Sequence, residues 1–263
     1  MSDFHILEYG SDERAPLVCL HDVRGHARRL ERLARTLEDE RHVMAYDLRG
    51  HGRSPWSGPH TIDQHVDDVD AVLDALGLDQ AALLGEGFGG RIAIAYAAAH
   101  QERITMLTLL DPPLYPDLEP MLALARAERK NSGMTGLDDA IEQRRALEGL
   151  EHTPRFLLEE EMAEHLVADE DGRYRYRYSR AATVAAFEQM GEREAELPEV
   201  LCPVLLIHGD HSPLCGEADV ARAMDELRRV RLETVPGGHV VLWDAFAETS
   251  AHVRSFVAAR KIA

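Results

Sequence analysis

The chain has 263 residues, 45% of them hydrophobic, and its 47 acidic residues outnumber 29 basic ones, giving a formal net charge of −18. This length is enough for one large α/β core together with an inserted segment. The acidic balance argues against nucleic acid or anionic membrane surfaces as partners, because both repel negative charge.

Short β-rich runs alternate with helical patterns towards both ends of the chain. The predicted strands are His5–Tyr9, Leu17–Leu20, His42–Asp47, Ala81–Gly85, Ile104–Asp111, Val204–Gly209 and Arg231–Val235. The predicted helices between them are Ala27–Glu38, Ile62–Leu76, Gly90–His100, Glu217–Leu227 and Ala247–Ala259. This alternation predicts the α/β class, with a mainly parallel sheet that carries helices on both faces.

The alternation stops between residues 113 and 197. Four helices are predicted there instead, near Met121–Lys130, Asp138–Leu147, Leu157–Val167 and Ala182–Met190. The simplest account is a helical cap inserted between two strands of the sheet. Residues 1–112 and 198–263 are then the two parts of the core.

The N-terminal sequence MSDFHILEYG has neither a basic region nor a long apolar run, so it does not read as a secretory signal. No segment approaches the ~18 consecutive apolar residues of a membrane helix. We therefore expect a cytoplasmic protein without a membrane partner. Neither a metal-ligand spacing nor a dinucleotide-binding glycine pattern is present, so no metal and no cofactor are expected.

The stretch LLGEGFGG, Leu83 to Gly90, has the form of a nucleophile elbow without its nucleophile. A strand enters a glycine-rich corner and a helix of small residues leaves it, which is the context of a G-x-S-x-G motif. Here Gly87 stands where serine is expected. At such an elbow we expect Gly87 to adopt a positive φ, which costs a side-chain-bearing residue about 1–3 kcal/mol.

Four further segments resemble motifs of the α/β-hydrolase family, in the order found in that family. They are His21-Asp22-Val23 after the strand PLVCL, the loop DLRGHGRS at residues 47–54, Asp210 in LLIHGDHSP, and His239 in VPGGHVVLWD. With the elbow, the resemblance covers nearly the whole chain except the predicted cap.

The resemblance implies a role for each matching residue. His239 would transfer protons, and Asp210 would orient its imidazole, with Asp111 in LLDPP as the alternative acid. The N–H groups of Phe88 and Val23 would form the oxyanion hole. Three further residues beside these groups are predicted to bind substrate, namely Asp22, Arg24 and Glu86.

Two departures from the family pattern bear on activity. Gly87 removes the nucleophile, and Asp22 replaces a glycine, so that its carboxylate would oppose a developing oxyanion unless it points away. Glu86 is a less favoured substitute nucleophile or base, because adjacent side chains on an elbow point in different directions.

Three functions remain open from the sequence, each with a small molecule as the partner. The first is an ester- or lactone-cleaving hydrolase whose serine has been replaced deliberately. The second is a natural serine-independent enzyme in which an Asp–His pair serves direct water attack, lyase, cyclisation or decarboxylation chemistry. The third is a binding protein without catalysis.

Overall fold

The computed structural model describes residues 3–148, 150, 153–168 and 170–258 of the chain. The strands in this part of the chain are β1 (Ile6–Tyr9), β2 (Pro16–Leu20), β3 (His42–Tyr46), β4 (Ala81–Glu86), β5 (Ile104–Leu110), β6 (Leu166–Ala168), β7 (Tyr174–Tyr176), β8 (Val204–Gly209) and β9 (Val230–Val235). Seven of these strands form one sheet in the order β1-β3-β2-β4-β5-β8-β9. Strand β1 is antiparallel to β3, and the other neighbours are parallel.

The helices cover both faces of this sheet. They are α1 (Glu31–Leu37), α2 (Ile62–Ala75), α3 (Phe88–Ala99), α4 (Leu118–Lys130), α5 (Leu137–Glu148), α6 (Arg155–His165), α7 (Arg180–Glu192), α8 (Glu217–Glu226), α9 (Val241–Asp244) and α10 (Phe246–Ala258). Helices α2, α3 and α8 contribute to the core on one face, and α1 and α10 to the core on the other. Successive residues of β4 alternate between the two cores, with Leu83 in one and Leu84 in the other. The predicted α/β class is therefore confirmed.

Helix α2 shows how local sequence sets an element. The Thr61 hydroxyl accepts the Gln64 N–H at 3.1 Å, which satisfies one of the free donors of the first turn. Its apolar residues Ile62, Val66 and Val69 are all buried at helical spacing. The helix therefore begins at the predicted residue and packs with the predicted face.

Between β5 and β8 lies an inserted segment made of α4 to α7 and the hairpin β6–β7. The four helices occur where the sequence predicts them. Strand β7 lies within the alternation of Arg and Tyr at residues 173–180, whose two-residue period predicts a short strand or hairpin. The outer limits of the two predicted core parts, at residues 1–2 and 259–263, lie outside the described residues. None of the helices in the described ranges has the length and apolarity needed to cross a membrane.

The parallel strands bring several polar residues to one edge of the sheet. Asp22 follows β2, Gly87 follows β4, Asp111 follows β5 and Asp210 follows β8. Because the carboxyl ends of parallel strands lie along the same edge, loops at this edge are the usual place for a ligand site in open α/β sheets.

Candidate active site

The turn between β4 and α3 has the geometry of a nucleophile elbow. Gly87 has φ 52° and ψ −117°, so the predicted positive φ is confirmed. The Gly87 N–H donates to the carbonyl of Leu110 on the adjacent strand at 3.0 Å. Helix α3 begins at the next residue, Phe88, whose N–H is the predicted oxyanion donor.

The carboxylate of Asp22 occupies the space that a serine side chain would fill. A Cβ atom on Gly87 would lie 2.0 Å from Asp22 Oδ1 and 2.3 Å from its Cγ. Asp22 Oδ1 accepts the Phe88 N–H at 2.6 Å. The carboxylate thus points into the predicted oxyanion hole and not away from it.

His239 lies between two carboxylates. Its Nδ1 is 2.8 Å from Asp111 Oδ2, and its Nε2 is 3.2 Å from Asp22 Oδ2. All three residues are buried. An imidazolium donates from both ring nitrogens, so this geometry fits a chain of carboxylate, imidazolium and carboxylate.

The pKa values of these groups shift in directions that favour the charged chain. Burial alone would raise the pKa of Asp22, but the hydrogen bond and charge of His239 outweigh it and lower that pKa to about 2. Burial alone would lower the pKa of His239, but the two carboxylates outweigh it and raise the pKa well above its usual value. The site is therefore an internal ion pair at neutral pH.

The prediction that Asp210 orients His239 is wrong. The Asp210 carboxylate is exposed, and its Oδ1 contacts His211 Nδ1 at 2.5 Å and accepts the Gly237 N–H at 2.9 Å. Asp111, the alternative acid, makes the contact with His239 instead. The physical reason is local, because the Asp210 carboxylate faces His211 and the Gly237 N–H at the surface, whereas the Asp111 carboxylate is buried against His239.

Asp111 is held rigidly for this role. Its Oδ1 accepts the Gly209 N–H at 3.0 Å and lies 3.2 Å from His208 Nδ1, while Oδ2 also accepts the Ser212 hydroxyl at 2.5 Å. Burial opposes ionisation of Asp111, but the hydrogen bonds from His208, His239 and Ser212 prevail and lower its pKa. The charged form is thus the stable one.

One buried histidine, His21, and a residue of the inserted segment hold the loop that carries Asp22. His21 Nε2 accepts the Leu48 N–H at 2.9 Å, so its Nδ1 donates to the Asp22 carbonyl at 2.7 Å. Arg24, with φ 62°, has its guanidinium bound to Glu128 of α4 at 3.0 Å. Arg24 therefore contacts the inserted segment in this structure, and its predicted role in substrate binding stays a prediction. So does the predicted role of the buried Val23 as the second oxyanion donor.

Glu86 belongs to a buried group of charges that the sequence did not reveal. It lies 3.3 Å from the Nε of Arg29, which stacks on the ring of Trp243. Burial raises the pKa of Glu86, and Arg29 opposes that shift. Glu161 of α6 also belongs to this group, 3.0 Å from His26 Nε2. Apart from His26 and Arg29, these residues lie far from one another in sequence, so no spacing signals the group.

A cavity of about 570 Å³ adjoins this charged group. It lies between the start of the core and the inserted segment, and its lining includes His26, Arg29, Glu161 and Trp243. Arg29 thus lines the cavity and also contacts Glu86 next to the elbow.

The ion pair gives stability that depends on pH. Asp22, with a lowered folded pKa, stabilises the fold above its unfolded pKa near 3.8, and this is lost as pH falls through about 2. His239, with a raised folded pKa, stabilises fully below its unfolded pKa near 6.5, and this is lost as pH rises through the folded value. The pair is therefore strongest between about pH 4 and pH 6.5.

We expect Asp22→Asn to flatten the alkaline side of this profile. Without the Asp22 carboxylate, the pKa of His239 in the folded protein should be raised less. The free energy of unfolding then falls less as the pH rises, by about 1.4 kcal/mol for each unit by which that pKa is lower. Urea unfolding of both forms at pH 6 and pH 9 measures the effect. Equal losses in the two forms would show that Asp22 does not stabilise an imidazolium.

Comparison with known proteins agrees with this geometry. Residues 16–246 match the protein family described as the alpha/beta hydrolase fold. The chain therefore belongs to the α/β-hydrolase fold family.

Individual relatives cover nearly the whole chain. Lipase LipV of Mycobacterium tuberculosis is 32% identical over 271 residues, which span 96% of this chain and 97% of that protein. The structure of an E-2-(acetamidomethylene)succinate hydrolase covers 97% of this chain and 95% of its own, with a TM-score of 0.88 and 21% identity. An enol-lactonase from Burkholderia xenovorans covers 97% and 96%, with a TM-score of 0.81 and 22% identity. At these identities the two structures show the shared fold alone.

Proposed function

We propose that this chain is a serine-independent hydrolase whose working groups are Asp22, His239 and Asp111. The observation that supports this proposal is the spatial fit between the two residues that depart from the family pattern, Asp22 and Gly87. The carboxylate introduced at Asp22 fills the space vacated at Gly87, within 2.0 Å of where a Cβ would stand. A carboxylate in that position is one of the nucleophiles and bases that enzymes use.

This pairing argues against a serine that was simply replaced. A serine at residue 87 would collide with Asp22 as it lies in this structure, so one substitution at the elbow does not account for the site. The intact contact between His239 and Asp111 argues against a binding protein, because holding a ligand does not require a buried proton-transfer pair. The serine-independent enzyme is the remaining class.

A small ester, lactone or related molecule is the substrate class we propose to examine first. The relatives named as a lipase and an enol-lactonase support this choice. We further propose that the inserted segment, residues 113–197, acts as a cap. In support, Glu128 of α4 binds Arg24, two residues after Asp22, and Arg144 of α5 donates to the Arg24 carbonyl at 3.1 Å.

A panel of small esters, lactones and epoxides tests the function directly. We expect the purified chain to hydrolyse at least one member at a rate that saturates with substrate. Asp111→Asn should lower kcat by about 10³–10⁴-fold, since His239 then loses the acceptor that fixes its tautomer and its charge. Steady-state kinetics measures both results.

Asp210→Asn is the matched control, because it changes the exposed acid on the neighbouring strand. Its contact with Gly237 steadies the loop of His239, so we expect a loss of less than about tenfold. If no panel member is hydrolysed, the proposed function fails. A larger loss in Asp210→Asn than in Asp111→Asn would contradict the assignment of the acid.

A further inference from the structure

The oxyanion donor of this site is bound to the protein's own carboxylate. Phe88 N–H donates to Asp22 Oδ1 at 2.6 Å, so it faces an oxygen attached to Asp22 Cγ. The other oxygen, Oδ2, faces His239 Nε2 at 3.2 Å. The donor is thus placed to stabilise negative charge that develops at Asp22 itself, before any substrate carbonyl is present.

This arrangement has the parts required for an ester on Asp22 to form and be hydrolysed. One carboxylate oxygen is available for attack, and the other would be the carbonyl oxygen of the ester, held by the Phe88 N–H. A water that attacks Asp22 Cγ then creates an oxyanion at Oδ1, where the donor already lies. His239 is near enough to serve as the base for that water.

We propose that Asp22 is the covalent nucleophile and that its substrates carry a leaving group on a saturated carbon atom, as in a strained cyclic ether or the alkyl carbon of an ester. This inference rests on the proposed hydrolase function. Attack of a carboxylate on an acyl carbon would give an acid anhydride and expel an alkoxide, which is the stronger base and the poorer leaving group. Attack on saturated carbon gives a stable ester instead.

In the first step, Asp22 opens the ring of a cyclic ether and His239 supplies the proton. A lone pair of Asp22 Oδ2 forms the bond to carbon while the carbon–oxygen bond of the ring breaks. The electron pair of that bond stays on the ring oxygen, which takes the Nε2 proton of His239. The products are an alkyl ester of Asp22, a free hydroxyl group and neutral His239.

The second step restores the carboxylate. Neutral His239 takes a proton from water while the water oxygen bonds to Asp22 Cγ, and the bond between Cγ and the alkyl oxygen then breaks. The leaving alkoxide takes the proton from His239, and the new Asp22 carboxyl returns its own proton to His239. One molecule of cyclic ether and one of water thus become a diol.

Loss of charge at Asp22 prepares His239 for the second step. Asp22 and Asp111 are the two carboxylates that contact His239, and both favour the imidazolium. When Asp22 becomes a neutral ester, one of these influences disappears and His239 is a better base. The covalent step therefore switches His239 from proton donor to proton acceptor.

The test uses phenyl glycidyl ether, an epoxide, with the full chain and mass spectrometry. In His239→Gln we expect the whole epoxide to add once and more slowly, with the adduct on the peptide containing Asp22, because the opened ring oxygen must then take its proton from water and hydrolysis of the ester is blocked. Asp22→Asn should show no adduct there. The unmodified chain should convert the epoxide to its diol and, after one turnover in oxygen-18 water, should carry one heavy oxygen on Asp22.

The oxygen-18 measurement needs no variant, so it decides the question even if His239→Gln does not fold. Hydrolysis of any panel substrate with the label in the product alone, and none on Asp22, would overturn the covalent role while leaving the hydrolase function in place. An absence of both adduct and label would also overturn it. An adduct on Asp22 with no hydrolysis of any panel member would support the nucleophile and refute the hydrolase.

Discussion

Asp22→Asn should lower kcat by a factor on the order of 10⁵–10⁶, the loss expected when a nucleophile is removed from a site of this type. Asparagine has the same shape, and its carbonyl oxygen still accepts the Phe88 N–H that Asp22 Oδ1 accepts at 2.6 Å. It lacks the charge and the attacking oxygen that face His239. KM should change far less than kcat, because asparagine keeps the shape of the side chain and its hydrogen bond to Phe88.

Steady-state kinetics with the best panel substrate, alongside thermal melts, measures this prediction. Asp12→Asn provides the control, since it neutralises one exposed aspartate on the surface. We expect its kcat within about twofold of the unmodified chain, as for a surface substitution away from the site. Retention of more than a tenth of the activity in Asp22→Asn would mean that Asp22 only fills space.

The sheet and its helices could be predicted because their signals are local. Each strand is a short apolar run that ends at a turn residue, and each helix has its own apolar stripe. The elbow was equally visible, because its glycines permit the positive φ and the close packing that a sharp corner between strand and helix needs. Of the hairpin β6–β7, the alternation of Arg and Tyr indicated the second strand, whereas β6 has three residues and directly follows a helix, so it had no signal of its own.

The acid of the site could not be decided from the sequence, because Asp111 and Asp210 both follow apolar strands. Their difference lies in the contacts of the two carboxylates, because Asp111 is buried against His239 and Asp210 faces His211 and Gly237 at the surface. Asp111 also serves as a turn residue with φ 46°, so its backbone role and its contact with His239 coexist. A turn assignment was therefore no argument against a functional one.

The relation between Asp22 and Gly87 could not be predicted from the sequence either. Taken alone, its carboxylate opposes an oxyanion, and Gly87 taken alone removes a nucleophile. The two positions are 65 residues apart in the chain, and only the structure shows that one occupies the space left by the other. The missing serine at Gly87 and the added carboxylate at Asp22 are therefore complementary in space.

The same complementarity predicts that Gly87→Ser will be destabilising unless Asp22 changes with it. The serine Cβ would lie 2.0 Å from Asp22 Oδ1, and the residue would have to keep φ 52°, which is strained for any residue with a Cβ. Clash and strain should give a net cost of about 2–3 kcal/mol, more than the ~1 kcal/mol expected from backbone strain once the lower entropy of the unfolded serine form is counted. The melting midpoint should fall by about 5–10 °C.

The double variant Asp22→Gly with Gly87→Ser should recover part of that stability and create a serine site. Glycine at residue 22 removes the clash and frees the Phe88 N–H, while His239 keeps Asp111 as its partner. We expect a coupling free energy of about 1–3 kcal/mol between the two positions, because their side chains compete for one space.

The double variant should also react with a fluorophosphonate probe at residue 87, whereas the unmodified chain should not, since a serine activated by His239 is required. Melts and probe labelling of all four forms complete the cycle. Additive stabilities together with an unlabelled double variant would show that Asp22 and Gly87 are independent substitutions and that the elbow no longer supports a nucleophile.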